Sequence, residues 1–181
     1  VILVLMGVCG CGKSTVGEAL AGAIGCRFLD ADNFHPQANV DKMASGVPLT
    51  DEDRWPWLDA IAAWIAEHRA AGTTCVVTCS ALKRVYRDYL RARCDDLCFV
   101  LPRLSREALA ERVADRPGHF MPASLLQSQL DTLEVPDASE RAIVIDGEAK
   151  TDAQVNAARL APMCPTHSER SSRQVNSRCR R

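Results

Sequence analysis

The segment Gly7-Val8-Cys9-Gly10-Cys11-Gly12-Lys13-Ser14 constrains this chain more than any other. It has the spacing G-x-x-x-x-G-K-S, with an apolar run from Val1 to Met6 before it and a helical pattern from Lys13 to Ile24 after it. Each position has a physical use. The glycines let the backbone turn tightly and bring successive N–H groups onto phosphate oxygens. Lys13 supplies a point charge for the β- and γ-phosphates of a nucleoside triphosphate. The Ser14 hydroxyl suits Mg²⁺, and the helix that opens there points its positive end at the phosphates. Two glycines with Lys and Ser at this spacing arise by chance in roughly one chain in a hundred of this length. The flanking strand and helix lower that figure further and set aside a plain glycine turn.

The rest of the chain repeats a rhythm of strand, loop and helix. Val1 to Leu5, Arg27 to Leu29, Thr74 to Cys79, Leu97 to Leu101 and Ala142 to Ile145 read as strands. Helical patterns cover Lys13 to Ile24, Gln37 to Ala44, Thr50 to about Ala71, Lys83 to Arg93, Arg106 to Ala114, Ala123 to Leu133 and Thr151 to about Leu160. Thr50 reads as a helix cap followed by acids in the first turn, and Gly72 as the stop. Thr151-Asp152-Ala153-Gln154 has the form of a capping box. Strands that alternate with helices imply parallel pairing through right-handed crossovers, hence an α/β fold in three layers. We expect one domain over residues 1–161 and a disordered tail over 162–181, where Pro, Ser, Arg and Asn dominate and no apolar period survives.

Charge and composition exclude several classes. A net charge of -1 gives no basic footprint for nucleic acid, and the Arg-rich tail is short and lacks aromatics. No apolar run reaches membrane-spanning length, and the opening run lacks the basic flank of a signal peptide. The nine cysteines follow neither zinc-site nor disulfide-framework spacing, which implies reduced thiols and a cytoplasmic location.

Three further groups are candidates for chemistry. Asp30-Ala31-Asp32 falls at the carboxyl end of the second strand, where sheets of this type place ligands. A carboxylate there can orient an acceptor hydroxyl, take its proton or help hold Mg²⁺; a solvated turn is the plainer alternative. His35, Lys42, Arg54, Lys83, Arg84 and Arg87 are either solvated surface or a cationic pocket for an acidic acceptor. Arg112 and Arg116, next to Pro117-Gly118-His119-Phe120-Met121, suit either a mobile lid or a helix end that carries arginines.

Taken together, these blocks resemble a known family. The loop from Met6 to Thr15 is one block, and Asp30-Ala31-Asp32-Asn33-Phe34-His35-Pro36 with Lys42-Met43 is a second. Asp51-Glu52-Asp53-Arg54-Trp55-Pro56-Trp57-Leu58, Cys79-Ser80-Ala81-Leu82-Lys83 and Gly118-His119-Phe120-Met121 complete the set. They look like the gluconokinase family, small P-loop kinases related to shikimate and adenylate kinases, and the resemblance runs from Val1 to about Leu160. It implies a five-stranded parallel sheet, a mobile lid, often a homodimer, and transfer of the ATP γ-phosphoryl group to the 6-hydroxyl of D-gluconate with Mg²⁺. By the same resemblance Gly7, Cys9, Gly10, Cys11, Gly12, Lys13, Ser14 and Thr15 hold ATP, with Ser14 on the metal. Arg112 and Arg116 close over the nucleotide. Lys13, Asp32 and Arg116 are catalytic, Asp32 as base or hydroxyl-orienting group. Asp32, His35, Lys42, Arg54, Lys83 and Arg87 line the acceptor pocket.

Three departures stand out: Cys9 and Cys11 where the family usually has Ser, Pro117 in the lid, and the tail after Pro162. A related sugar acid or shikimate-like acid is the rival acceptor. A non-catalytic nucleotide-binding module is the rival class; its mark would be the loss of Lys13, Asp32 or the lid arginines, and all are present.

Overall fold

Five short strands, each leading into a helix or turn, form one parallel sheet in the order β2-β3-β1-β4-β5. The computed structural model describes residues 1–114 and 123–161. The strands are β1 (Ile2–Leu5), β2 (Arg27–Asp30), β3 (Cys75–Thr78), β4 (Leu97–Arg103) and β5 (Ala142–Asp146). The helices are α1 (Lys13–Ile24), α2 (Gln37–Ala44), α3 (Asp51–Ala70), α4 (Arg84–Arg91), α5 (Arg106–Ala114), α6 (Ala123–Thr132) and α7 (Thr151–Ala158).

β1 is central. Leu5 is in register with Thr78 of β3 on one side and with Val100 of β4 on the other. Its residues are all buried, as a parallel strand covered on both faces requires. Side chains alternate across the sheet and sort into two cores. Ile2, Val4, Met6, Cys75 and Val77 pack under α3 and α4, against Trp57, Leu58, Ile61 and Tyr86. Leu3, Leu5, Val76 and Val100 face the other way, onto Val16 and Leu20 of α1 and Val155 and Ala158 of α7. The three expected layers are therefore helices, sheet, helices. A smaller cluster of Val8, Cys11, Leu82, Leu109 and Leu126 seats α5 and α6 against the glycine loop.

Local chemistry sets the element ends. α1 stops at Gly25, whose φ of 68° lets its N–H reach back to Ala21 O and Gly22 O. α3 opens with a capping box in which the Thr50 hydroxyl accepts the Asp53 N–H and the Asp53 carboxylate accepts the Thr50 N–H. The second expected capping box is absent. Lys150 caps α7 without a side-chain bond, and the Gln154 amide instead donates to Gly147 O (3.0 Å) and Ala149 O (2.8 Å). β4 also runs past its expected end, because Pro102 and Arg103 stay in register with Ile145 and Asp146. A 3₁₀ turn over Ala31–Phe34 follows β2.

Among the described residues Cys11, Cys26, Cys75, Cys79 and Cys94 are free thiols. No described helix is long and apolar enough to cross a membrane. The expected lid, with Arg116 and Pro117 to Met121, and the expected tail over 162–181 lie outside the described residues.

Candidate active site

The loop after β1 is bonded to its neighbours on both sides: Met6 N–H donates to Val100 O (2.8 Å) and Gly7 N–H to Ser80 O (3.1 Å). Gly10 and Gly12 have φ of 79° and 92°, a region that L side chains rarely adopt. A Cβ on Gly10 would also come within 2.7 Å of the Val113 side chain. Gly12 caps α1 with no side-chain hydrogen bond, and the first turn carries no acid. The opening N–H groups of α1 thus have no side-chain acceptor and suit an anion. Lys13 folds back, its Nζ donating to Val8 O at 3.0 Å. Burial acts to lower its pKa, but the Cys11 sulfur and the Asp32 carboxylate outweigh it and raise the pKa, so Lys13 is an ammonium. Burial pushes the Cys11 thiol up, against the pull of Lys13.

The two aspartates after β2 part company. Asp30 turns toward the loop, where its Oδ2 accepts from Ser14 Oγ and its Oδ1 from Thr78 Oγ1, both at 2.9 Å. Its Oδ1 also accepts the Asp32 N–H at 3.1 Å. Asp32 points outward with 69% of its side chain exposed, its Oδ1 4.0 Å from His35 Nε2. The sequence named Ser14 for the metal and left open whether a carboxylate of Asp30-Ala31-Asp32 helps to hold it. The structure adds Asp30 behind it, and oxygen donors of this kind suit Mg²⁺, which takes one or two carboxylates along with phosphate oxygens.

α3 fixes the acceptor side. Trp57 Nε1 donates to Ala31 O (2.7 Å) and so ties the turn between the two aspartates to the helix. The His35 ring stacks on Trp57 with centroids 4.3 Å apart. Burial lowers the His35 pKa; Asp32 opposes this and Arg54 adds to it. The cations here are largely paired within the chain. Lys42 Nζ lies 2.5 Å from Asp53 Oδ2, and Lys83 Nζ lies 2.6 Å from Asp51 Oδ1, which also accepts the Tyr86 hydroxyl at 2.6 Å. The hydrogen bonds from Lys83 and Tyr86 hold the Asp51 carboxyl below the usual range. Arg54 differs from both lysines. It makes no ion pair among the described residues, and its guanidinium lies 5.8 Å from the Tyr86 ring centroid.

Arg87 is not on the pocket wall in this structure. It is 0% exposed; its Nε and Nη2 grip the Glu140 carboxylate at 2.6 and 2.8 Å, and its Nη1 donates to Ala81 O and Leu82 O. Arg84, on the same helix, pairs with Asp137 at 2.9 Å. Arg112 does lie at the phosphate loop. Its Nη1 is 3.6 Å from where a Gly12 Cβ would stand, and its Nη2 donates to Gly147 O at 3.0 Å. Thr15 is exposed at the start of α1. Gln129 of α6 is a contact the sequence did not single out: its Oε1 accepts the Cys9 N–H at 2.7 Å. Nothing local in the S-Q-L run of α6 marks it, since the contact bridges 120 positions.

Comparison with known proteins points to one family. A family model described as an AAA domain matches residues 2–136. A gluconokinase of Gluconobacter oxydans is 53% identical over 152 residues, covering 83% of this chain and 84% of that protein. The crystal structure of a gluconokinase from Sinorhizobium meliloti superposes with a TM-score of 0.81 at 48% identity, covering 89% of this chain and 90% of that one. A shikimate kinase from Aquifex aeolicus shares the fold, with a TM-score of 0.60 at 18% identity. On the glycine loop, the paired aspartates and these likenesses, the chain belongs to the gluconokinase family of P-loop kinases.

Proposed function

We propose that this protein transfers the γ-phosphoryl group of ATP to the 6-hydroxyl of D-gluconate. The observation that supports the reading is an exposed carboxylate, Asp32, close enough to act electrostatically on Lys13 of the phosphate loop and, together with Arg54, on His35. An acidic polyol fits that arrangement. Arg54 can take a carboxylate through two parallel hydrogen bonds, and Asp32 can accept from a hydroxyl.

Bound Mg-ATP supplies the phosphoryl group and the cation charge that neutralises its oxygens. The chain's own residues do the rest. The N–H groups at the start of α1 and Lys13 would hold the phosphate oxygens, and Ser14 with Asp30 behind it would hold the cation. Asp32 orients the acceptor hydroxyl and takes its proton as the oxygen attacks. His35, stacked on Trp57, stands beside that carboxylate. Arg112 covers the nucleotide, and Arg116 belongs to the same reading through the family resemblance. Lys42 and Lys83, already neutralised by Asp53 and Asp51, set the pocket's shape more than its charge. A homodimer and a cytoplasmic location are part of the proposal; sedimentation and fractionation test them.

The deciding experiment is a coupled ADP-release assay with Mg-ATP against gluconate, shikimate, glycerate and several hexoses. Turnover on gluconate alone is expected. Turnover on a different acid would keep the phosphoryl-transfer chemistry and overturn the acceptor.

A further inference from the structure

The turn from β3 into α4, residues 79–83, joins the two halves of the site. At its start Ser80 O accepts the Gly7 N–H of the phosphate loop, and at its end Lys83 pairs with Asp51 at the head of α3. Between them Ala81 holds φ at 38°, the only non-glycine with positive φ among the described residues. A residue with a Cβ avoids that region unless its surroundings impose it.

Arg87 imposes it. Its Nη1 donates to the carbonyls of Ala81 and Leu82, each at 3.1 Å, so one guanidinium nitrogen grips consecutive peptide units of the turn. The rest of the guanidinium is locked bidentate onto Glu140, and Arg87 and Glu140 are 0% and 3% exposed. Glu140 stands just before β5, and Arg91 adds a contact to it at 3.4 Å. The same stretch braces the turn again through Glu134, whose N–H donates to Leu82 O at 2.9 Å and whose carboxylate accepts the Arg84 N–H at 2.5 Å.

A buried ion pair is weak support for stability as such, because well-packed apolar residues in its place are often neutral or better. A pair whose cation also holds two carbonyls of a left-handed turn has a geometric use. We propose that the Arg87–Glu140 pair is a positioning device: it fixes the β3–α4 turn, and through that turn sets the acceptor half of the site against the phosphate loop. Arg87 acts on the acceptor through Ala81, Leu82 and Lys83 and does not touch it.

Only the kinetic readout rests on the gluconate reading. Two variants separate positioning from support. Arg87→Met with Glu140→Leu removes both charges while filling the volume, which favours a folded protein. Arg87→Lys keeps the charge, but one ammonium cannot fork onto a carboxylate and two carbonyls. In each, hydrogen exchange across residues 79–87 should quicken about tenfold, in line with the loss of a charge-assisted hydrogen bond. KM for gluconate should rise about tenfold while KM for ATP stays within about twofold. A folded double variant with native exchange in the turn and native KM for gluconate would overturn the proposal, and so would an equal rise in both KM values. If the double variant does not fold, Arg87→Lys decides alone. If the unmodified protein does not turn over gluconate, the acceptor reading fails, and the exchange measurement still decides whether the pair fixes the turn.

Discussion

Asp32 and Asp30 are separated by one alanine yet face different tasks, because the 3₁₀ turn that starts at Ala31 rotates one carboxylate toward Ser14 and the other toward solvent. The roles assigned to them predict an asymmetry. Asp32→Asn should lower kcat by about a hundredfold to ten thousandfold, the span of a positioned acid or base, with little change in ATP affinity. Steady-state kinetics beside nucleotide titration check this, and normal turnover would refute the carboxylate's role. His35 makes a separate prediction about pH. Its folded pKa lies below the unfolded value of about 6.5, so the unfolded chain binds the proton more readily. Stability contributed by the neutral, stacked ring is full above about pH 6.5 and is lost as pH falls from there through the folded pKa. Urea unfolding at stepped pH should show that loss, and His35→Phe should flatten it.

At the scale of elements, local patterns worked where any further partner could be added without displacing the cap, as Lys42 is at Asp53. Thr50 and Asp53 close on each other as their spacing implies, and Gly25 stops α1 with its left-handed conformation. Thr50→Ala should cost about 1 kcal/mol, a fall in Tm of a few degrees for a chain of this size, measurable by calorimetry. The loss is that of the hydroxyl which accepts the Asp53 N–H; the Thr50 N–H still donates to the Asp53 carboxylate, which keeps its pair with Lys42. The same logic failed at α7. Thr151 and Gln154 have capping-box spacing, but the Gln154 amide finds two carbonyls of the β5–α7 loop and is taken by them. A local motif lost there to a tertiary contact. Arg87 repeats the lesson: its place on α4 among other basic residues suggested a pocket wall, while Glu140, 53 positions later, draws it inside.

Across the whole molecule, the strand order puts the turns after β1, β2 and β3 at the carboxyl end of one sheet, beside the point where the order reverses. Nucleotide binding to so assembled a site is linked to folding. Mg-ATP at a hundred times its Kd should add about 2.7 kcal/mol of stability. The resulting rise in Tm should shrink on chelation with EDTA and vanish in Lys13→Ala.

Reading the residues in order was enough for the phosphate loop, the alternation of strand and helix, most element bounds and the family. Each is written in short-range terms: glycines where the backbone must turn left-handed, periods of two or 3.6, and contiguous blocks of matched residues. The tertiary structure alone decided which carboxylate backs Ser14, that Gln129 takes the Cys9 N–H, that Lys42 and Lys83 are neutralised by the head of α3, and that Arg87 is buried. The physical reason is common to all of them. Charged and amide side chains are long and take whichever partner the packing brings within 3 Å, and no local pattern states which distant segment that will be.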